Sequence, residues 1–352
     1  MKKLIFLLLQ TNTNLKIYNL THTQANILKQ TALSVGCDCA THKDVITANI
    51  DNSDVILAGS IKQLRSVAEK LKYQPFRLRE LKTDIEKFLN SQKFKKTKIM
   101  GILNITPDSF SDGGLYYKSE SAIKHFKELV QDGADIIDIG AESTRPGSME
   151  VGTKEQLDRI IPVLDYAKNE NINVPISIDT RSASVAKECM KYGIEYINDV
   201  SGLEFDSEMA RVVAQGGVKI VIQHSLSTPD KMQESPVYES LIDDIYKKLD
   251  EQIRFAINEG IKFENILIDP GIGFGKTREN NFEIIRRIEE FYGLGCPLVL
   301  GVSRKSLLNM PESTNEEKDI FTVALNTLAI ESGVDIIRVH NVKLHKKLLN
   351  LI

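Results

Sequence analysis

The sequence predicts an α/β protein, a (β/α)₈ barrel of the TIM type with a small α/β domain ahead of it. Three observations carry that prediction. From residue 97 onward, eight short runs rich in Ile, Val and Leu alternate with stretches whose apolar residues recur at helical spacing. Nearly every run ends in polar or charged residues, which is where a parallel barrel gathers its ligands. Gly133, Gly193, Gly217, Gly260 and Gly333 each stand just before the next run, the place of a helix C-cap. A doubly wound sheet would collect its ligand at one switch point and leave the other polar strand ends unexplained.

Taken in order, residues 1–95 read as the small extension and residues 96–352 as the barrel. In the extension, residues 3–9, 15–18 and 55–58 read as strands, and 23–35, 61–71 and 78–89 as helices. Met1-Lys2-Lys3 followed by Leu4 to Leu9 imitates the start of a signal peptide, but the apolar run stops at Gln10 with no small-residue cleavage pattern behind it, so a first strand is expected. The barrel strands are expected at 98–103, 136–139, 175–178, 196–200, 219–222, 266–268, 297–301 and 336–339. The helix after the first of them shows its buried face as Ala122, Ile123, Phe126, Leu129 and Val130.

Composition narrows the function. The chain has 352 residues, with 45 basic against 48 acidic and a formal net charge of −3, which argues against a nucleic-acid surface as its business. An anionic ligand must therefore be held by a local cluster. Residues 62–98 do carry 12 basic against 4 acidic residues, read as a solvated linker and helix face. No stretch reaches membrane-spanning length, and Cys37, Cys39, Cys189 and Cys296 stand at no metal spacing, so buried reduced thiols, no membrane partner and a cytoplasmic location are expected.

The strand ends hold the chemistry. They deliver Asn104; Asp138 and the run Glu142 to Gly147; Asp179-Thr180-Arg181; Asn198-Asp199; Gln223-His224; Asp269-Pro270-Gly271; Ser303-Arg304-Lys305-Ser306; and Arg338-Val339-His340-Asn341. Asp135, Asp199 and Thr180 are expected to serve as caps. The others converge on one rim, and burying so many polar groups without a ligand would be costly. Asp179, Asn198 and Asp269 suit the amino and ring N–H groups of a flat nitrogen heterocycle. Arg338 and His340, two apart on one strand, share a face and suit phosphate oxygens. Asn104 offers an oxygen to a Mg²⁺ that bridges those phosphates. A phosphorylated heterocycle is the ligand this mixture implies. The run from Pro270 to Thr277 imitates a P-loop, but its first glycine position is Pro270, so it reads as a bend that brings Phe274 and the backbone to a ligand.

These motifs are similar to those of a known family. "GILNITPDSFSDGG", "DIGAESTRPGS", "SIDT", "INDVSG", "LIDPGIGFGKT", "GVSRKS" and "RVH", in this order, closely resemble the dihydropteroate synthases, over residues 98–352. The resemblance implies condensation of 6-hydroxymethyl-7,8-dihydropterin diphosphate with p-aminobenzoate, with Mg²⁺ as cofactor and pyrophosphate as the second product. It implies a pterin ring held by Asp179, with Asp138 behind it, and by Asn198, Asp269 and Lys305. The diphosphate falls to Asn104, Thr144, Arg145, Arg338 and His340. The p-aminobenzoate pocket falls to Phe110, Pro146, Phe274, Lys305 and Ser306, the last at a helix start after the seventh strand. Catalytic roles fall to Asp179, Lys305, Arg145 and Asp112, which would receive the amine proton from the loop after the first strand. A homodimer is also implied. Four features depart from the family's pattern: Gln223 for a methionine, Ala141 for a glycine, Asn341 for an aspartate beside His340, and Leu226-Ser227-Thr228 where a "QG" is usual after the fifth strand. A pterin-dependent methyltransferase and an idle barrel kept as a binding module are the competing functions.

Overall fold

In the computed structural model, residues 13–91, 96–106, 115–143, 150–225, 238–308 and 313–352 are described. Their contacts divide the chain into two units, Met1–Lys93 and Phe94–Ile352. The first unit runs β1 (Thr13–Thr21), α1 (His22–Leu33), β2 (Asp38–Thr41), β3 (Asn52–Gly59), α2 (Ile61–Leu71) and α3 (Leu78–Ser91). Its sheet has the order β1-β3-β2, antiparallel throughout. Capping boxes start two of the helices, Thr21 with Gln24 for α1 and Ser60 with Gln63 for α2. Leu28, Val55, Leu57, Leu64, Leu71 and Ile85 form part of one buried core. The sequence pattern misses β2, a four-residue strand with no apolar run of its own, which forms by pairing with β3 and burying Cys39. The strand expected at 3–9 lies outside the described residues.

The second unit repeats strand and helix eight times. The strands are β4 (Lys98–Asn104), β5 (Ile136–Gly140), β6 (Ile176–Asp179), β7 (Tyr196–Asp199), β8 (Lys219–Gln223), β9 (Ile266–Asp269), β10 (Val299–Leu300) and β11 (Ile336–Val339). All pair in parallel in the order β10-β11-β4-β5-β6-β7-β8-β9, and a bridge from Ile268 to Leu298 closes the ring. The helices are α4 (Leu115–Gln131), α5 (Thr153–Asn169), α6 (Ala183–Met190), α7 (Met209–Gly216), α8 (Leu241–Asn258), α9 (Arg278–Arg286), α10 (Asn315–Glu331) and α11 (Val342–Leu351). The five glycines expected to end helices all take positive φ. This is the (β/α)₈ barrel.

The lumen is layered. Met100, Ile136, Tyr196, Val221, Leu267, Val299 and Ile336 pack into one buried apolar cluster. Side chains alternate along a strand, so the residues two further on face the same lumen one layer higher. On five of those strands they are Asp138, Asn198, Gln223, Asp269 and Arg338. An apolar floor thus lies under a polar layer at the C-terminal strand ends, where barrels of this kind hold their ligands.

Candidate active site

Arg338 ties the polar layer together. From β11 its Nε donates to Asp138 Oδ2 and its Nη2 to Asp179 Oδ2, each at 2.6 Å. Asn198 Nδ2 donates to the same Asp138 oxygen at 3.1 Å. Four strands therefore contribute to one chain of amide, carboxylate, guanidinium and carboxylate. Burial pushes the Asp179 carboxyl up to about 7, against the pull of Arg338 and with the push of Asp138 and other nearby carboxylates. Asp138 Oδ1 and Ser177 Oγ, on residues paired in register, are buried without a hydrogen-bond partner among the described residues. Buried polar atoms of this sort call for a water, an ion or a ligand to satisfy them. Arg338, expected beside the diphosphate, is engaged with both carboxylates.

The loop after β9 builds the next wall. Asp269, at the end of β9, accepts the Gly271 N–H at 2.7 Å, and burial raises its carboxyl. Lys305 reaches across from the loop after β10. Its ammonium donates to the Ile272 carbonyl at 2.6 Å and lies 4.7 Å from the centroid of the Phe274 ring. Burial pulls Lys305 down to about 8, with Asp269 opposing. Gly271 has φ +73°, and a Cβ there would stand 1.9 Å from the His224 carbonyl, so no other residue fits. The P-loop lysine of the imitation motif has a different task. Lys276 is buried with its Nζ 3.0 Å from His224 Nδ1 and 2.9 Å from the Phe274 carbonyl, a strut that holds the bend closed.

His340 faces a different environment from the one expected. Burial, then the nearby Arg304 and Arg338, push its imidazole down to about 3, so it is neutral rather than a cationic anchor. Ser303 orients it: the hydroxyl accepts the His340 backbone N–H at 3.2 Å and lies 2.9 Å from Nδ1. The hydroxyl has one proton and a second lone pair, so it pairs with Nδ1 in either tautomer of the neutral ring and fixes the ring's orientation. Asn341 takes no part in that orientation. Its Oδ1 caps α11 through the Leu344 N–H at 3.0 Å, and its Nδ2 donates to Asp319 at 3.1 Å. Ser303 stands in the strand-end inventory without a stated role and Asp319 is absent from it, and no spacing in the sequence links either to His340 or Asn341.

Other expectations sort as follows. Asp199 accepts from Ser201 N, Ser201 Oγ and Leu203 N and so holds a turn, whereas Asp135 accepts the Ile99 N–H and ties the segment before β5 to β4. Thr180 bonds Gln156 and Ser182. Gln223 is buried and donates to the Val200 carbonyl at 3.5 Å. Phe274 is buried against Val200. Ser306 opens a 3₁₀ turn of three residues, Ser306–Leu308, and not a long helix, which leaves little helix dipole for an anion; its side chain lies outside the described residues. Phe110, Asp112, Thr144, Arg145 and Pro146 also lie outside them.

Asn104 closes β4, with its Oδ1 and the Asp179 side chain both against Gly140. No group of three His, Cys, Asp or Glu among the described residues could hold a metal ion. One amide oxygen fits a magnesium ion that is bound chiefly through phosphate and water, not a metal caged by the protein.

A parallel barrel whose mouth pairs buried carboxylates and an amide with an arginine and a lysine belongs to the class of barrel enzymes that gather a polar ligand at the C-terminal ends of their strands. A family model described as pterin binding enzyme matches residues 100–340, and the chain belongs to that family. Within it the similar proteins are dihydropteroate synthases. That of Bacillus subtilis is 45% identical over 253 residues, covering 71% of this chain and 85% of the relative. A Haloferax volcanii protein, a probable bifunctional folylpolyglutamate synthase/dihydropteroate synthase, is 34% identical over 343 residues, covering 91% of this chain. The chain spans 40% of that relative's length, and the alignment takes in more of the chain than the barrel contains, so it extends into the first unit. The solved dihydropteroate synthase of Anaplasma phagocytophilum with bound 6-hydroxymethylpterin-monophosphate is 39% identical with a TM-score of 0.67, covering 73% of this chain and 99% of that one.

Proposed function

We propose that the chain is a dihydropteroate synthase, a transferase of folate biosynthesis that joins 6-hydroxymethyl-7,8-dihydropterin diphosphate to p-aminobenzoate. The observation that carries this is the chain Asn198–Asp138–Arg338–Asp179 in the mouth of the barrel, with Asp269 and Lys305 beside it. A flat ring with amino and N–H groups meets carboxylates there, and its carbonyl and ring nitrogen meet Lys305.

In the reaction the bond from the pterin CH₂ to the bridging oxygen breaks and its electron pair leaves with pyrophosphate. The amine nitrogen of p-aminobenzoate forms the new bond to that carbon and then loses a proton. Positive charge develops on the ring, where Asp179 and Asp138 favour it. Negative charge grows on the departing group, near Arg338 and His340. Asn104 would hold the magnesium ion, which when bound supplies further charge to the diphosphate oxygens. Phe274, Lys305 and Ser306 would fix the weak arylamine beside the carbon it attacks, with Phe110 and Pro146 completing its pocket. Thr144 and Arg145 would take the outer phosphate and Asp112 the amine proton. The protein would act as a homodimer paired through α10. That helix buries Asp319, Thr322, Asn326 and Ala329 while it exposes Ile320 and Leu328, at 60% and 48%. An outward apolar stripe of this kind fits a second copy of the chain.

The test is pyrophosphate release from the pterin diphosphate, with and without magnesium and p-aminobenzoate. Release that needs magnesium and yields dihydropteroate when the amine is present is the expected result. Tight pterin binding without release would favour a methyltransferase or an idle barrel.

A further inference from the structure

Arg304 stands between two site residues and points away from both. Ser303 before it orients His340, and Lys305 after it crosses to Ile272 and Phe274. Its own backbone lies in the left-handed region, with φ +54°. A long, unbranched side chain has no local hydrogen bond with which to hold that conformation, so it persists only where the surroundings impose it.

The surroundings do so through one carboxylate. Arg304 Nε and Nη2 donate to the two oxygens of Asp319 on α10, both at 2.8 Å, in a side-by-side pair. The Asp319 side chain is 5% exposed, and Asn341 Nδ2 donates to it from the other side. Burial alone would raise this carboxyl, but the hydrogen bonds from Arg304 and Asn341 hold it below its ordinary value. Asn341 in turn caps α11 next to His340. Asp319 therefore grips the loop after β10 and the end of β11 at once, from outside the lumen.

We propose that Arg304 and Asp319 are positioning residues, a clamp that holds the left-handed turn at position 304 and so aims Lys305 and Ser303 into the site. The proposal rests on the site described above being the working one. In it the guanidinium meets no substrate; its work is to fix a backbone angle. That yields a test which separates the clamp from a ligand contact, because glycine adopts positive φ without strain and alanine does not.

The experiment compares Arg304→Ala with Arg304→Gly in the full chain. Both remove the same charge and leave Asp319 with the same Asn341 partner, so they differ only in what the backbone tolerates. Arg304→Gly should keep kcat/KM within about threefold of the parent, while Arg304→Ala should lose about tenfold or more, since small misplacements of a site residue have effects of that size. The loss should appear in kcat and in KM for the pterin diphosphate together, because Lys305 is misplaced in both states. Asp319→Ala should behave as Arg304→Ala does, and Arg304→Gly/Asp319→Ala should recover most of the loss. Melting temperatures recorded beside the kinetics separate an unfolded variant from a misaimed one, and the Ala-to-Gly ratio at position 304 stands even if Asp319→Ala fails to fold. Equal loss in Arg304→Ala and Arg304→Gly would mean that the guanidinium itself acts on a ligand and would overturn the clamp. Equal retention would overturn it as well. A parent protein without dihydropteroate formation would instead sink the functional proposal, whatever the variants do.

Discussion

Asp179 and Lys305 carry opposite charges close to one ligand position, and the pocket moves them toward each other on the pH scale. Burial raises the first to about 7 and lowers the second to about 8. A ring N–H needs the carboxylate and a ring carbonyl needs the ammonium, so kcat/KM for the pterin diphosphate should fall below about pH 7 and again above about pH 8. The expected profile is a narrow bell, read from initial rates between pH 5.5 and about pH 9.5; a flat profile would mean that neither group titrates in the free enzyme. The same carboxyl affects stability. Its native pKa lies above the ordinary 3.8, so the folded state binds the extra proton between those values. Stability from this group is full below about pH 4 and is lost as the pH rises through about 7. Asp179→Asn should therefore be inactive, yet should lose less of its melting temperature than the parent does between pH 5 and pH 8. The residue types at the mouth were legible in the sequence; their pairing was not. Residue type alone suits Arg338 to phosphates, and it does not disclose that two carboxylates 200 and 159 positions away accept from its Nε and Nη2.

The loop after β9 shows what an element adds to its residues. Gly271, Gly273 and Gly275 all take positive φ, and the bend they make is held by Lys276 against His224 and by Asn281 against Gly273. Lys305 is fastened to the same bend at Ile272. Gly271→Ala would drive a methyl group into the His224 carbonyl in a backbone region that alanine resists. The variant should lose more than about 1 kcal/mol of stability and several-fold in pterin affinity, measured by thermal melting and by titration with a pterin. Unchanged affinity in a folded variant would show that the bend does not shape the pocket. Strands and helices of the barrel were legible because each buries a run or a stripe of apolar residues with its own period. The two-residue β10 was expected longer, at 297–301, since an apolar run marks burial and not hydrogen bonding. Pro270 breaks the P-loop pattern in the sequence, but nothing local discloses that Lys276 is buried against His224.

For the whole molecule the testable claim is pairing through α10. The parent should run at twice the mass of one chain in light scattering, and Ile320→Lys/Leu328→Lys should run as a single chain while remaining folded. A parent that runs as one chain would remove the proposal. Asp319, the partner of Arg304, lies on the buried side of this helix, next to exposed Ile320. The residue pattern alone settles the architecture and the residue types that line the mouth. Eight apolar runs with polar ends, separated by amphipathic stretches, leave a parallel barrel as the arrangement that buries every run and brings every end to one rim. Only the tertiary structure decided who partners whom there. Ring closure sets residues from distant strands side by side, and burial then sets which carboxylate keeps its proton, which histidine is neutral and which arginine holds a backbone angle. Those outcomes depend on distance and on desolvation, and neither quantity is written along a chain.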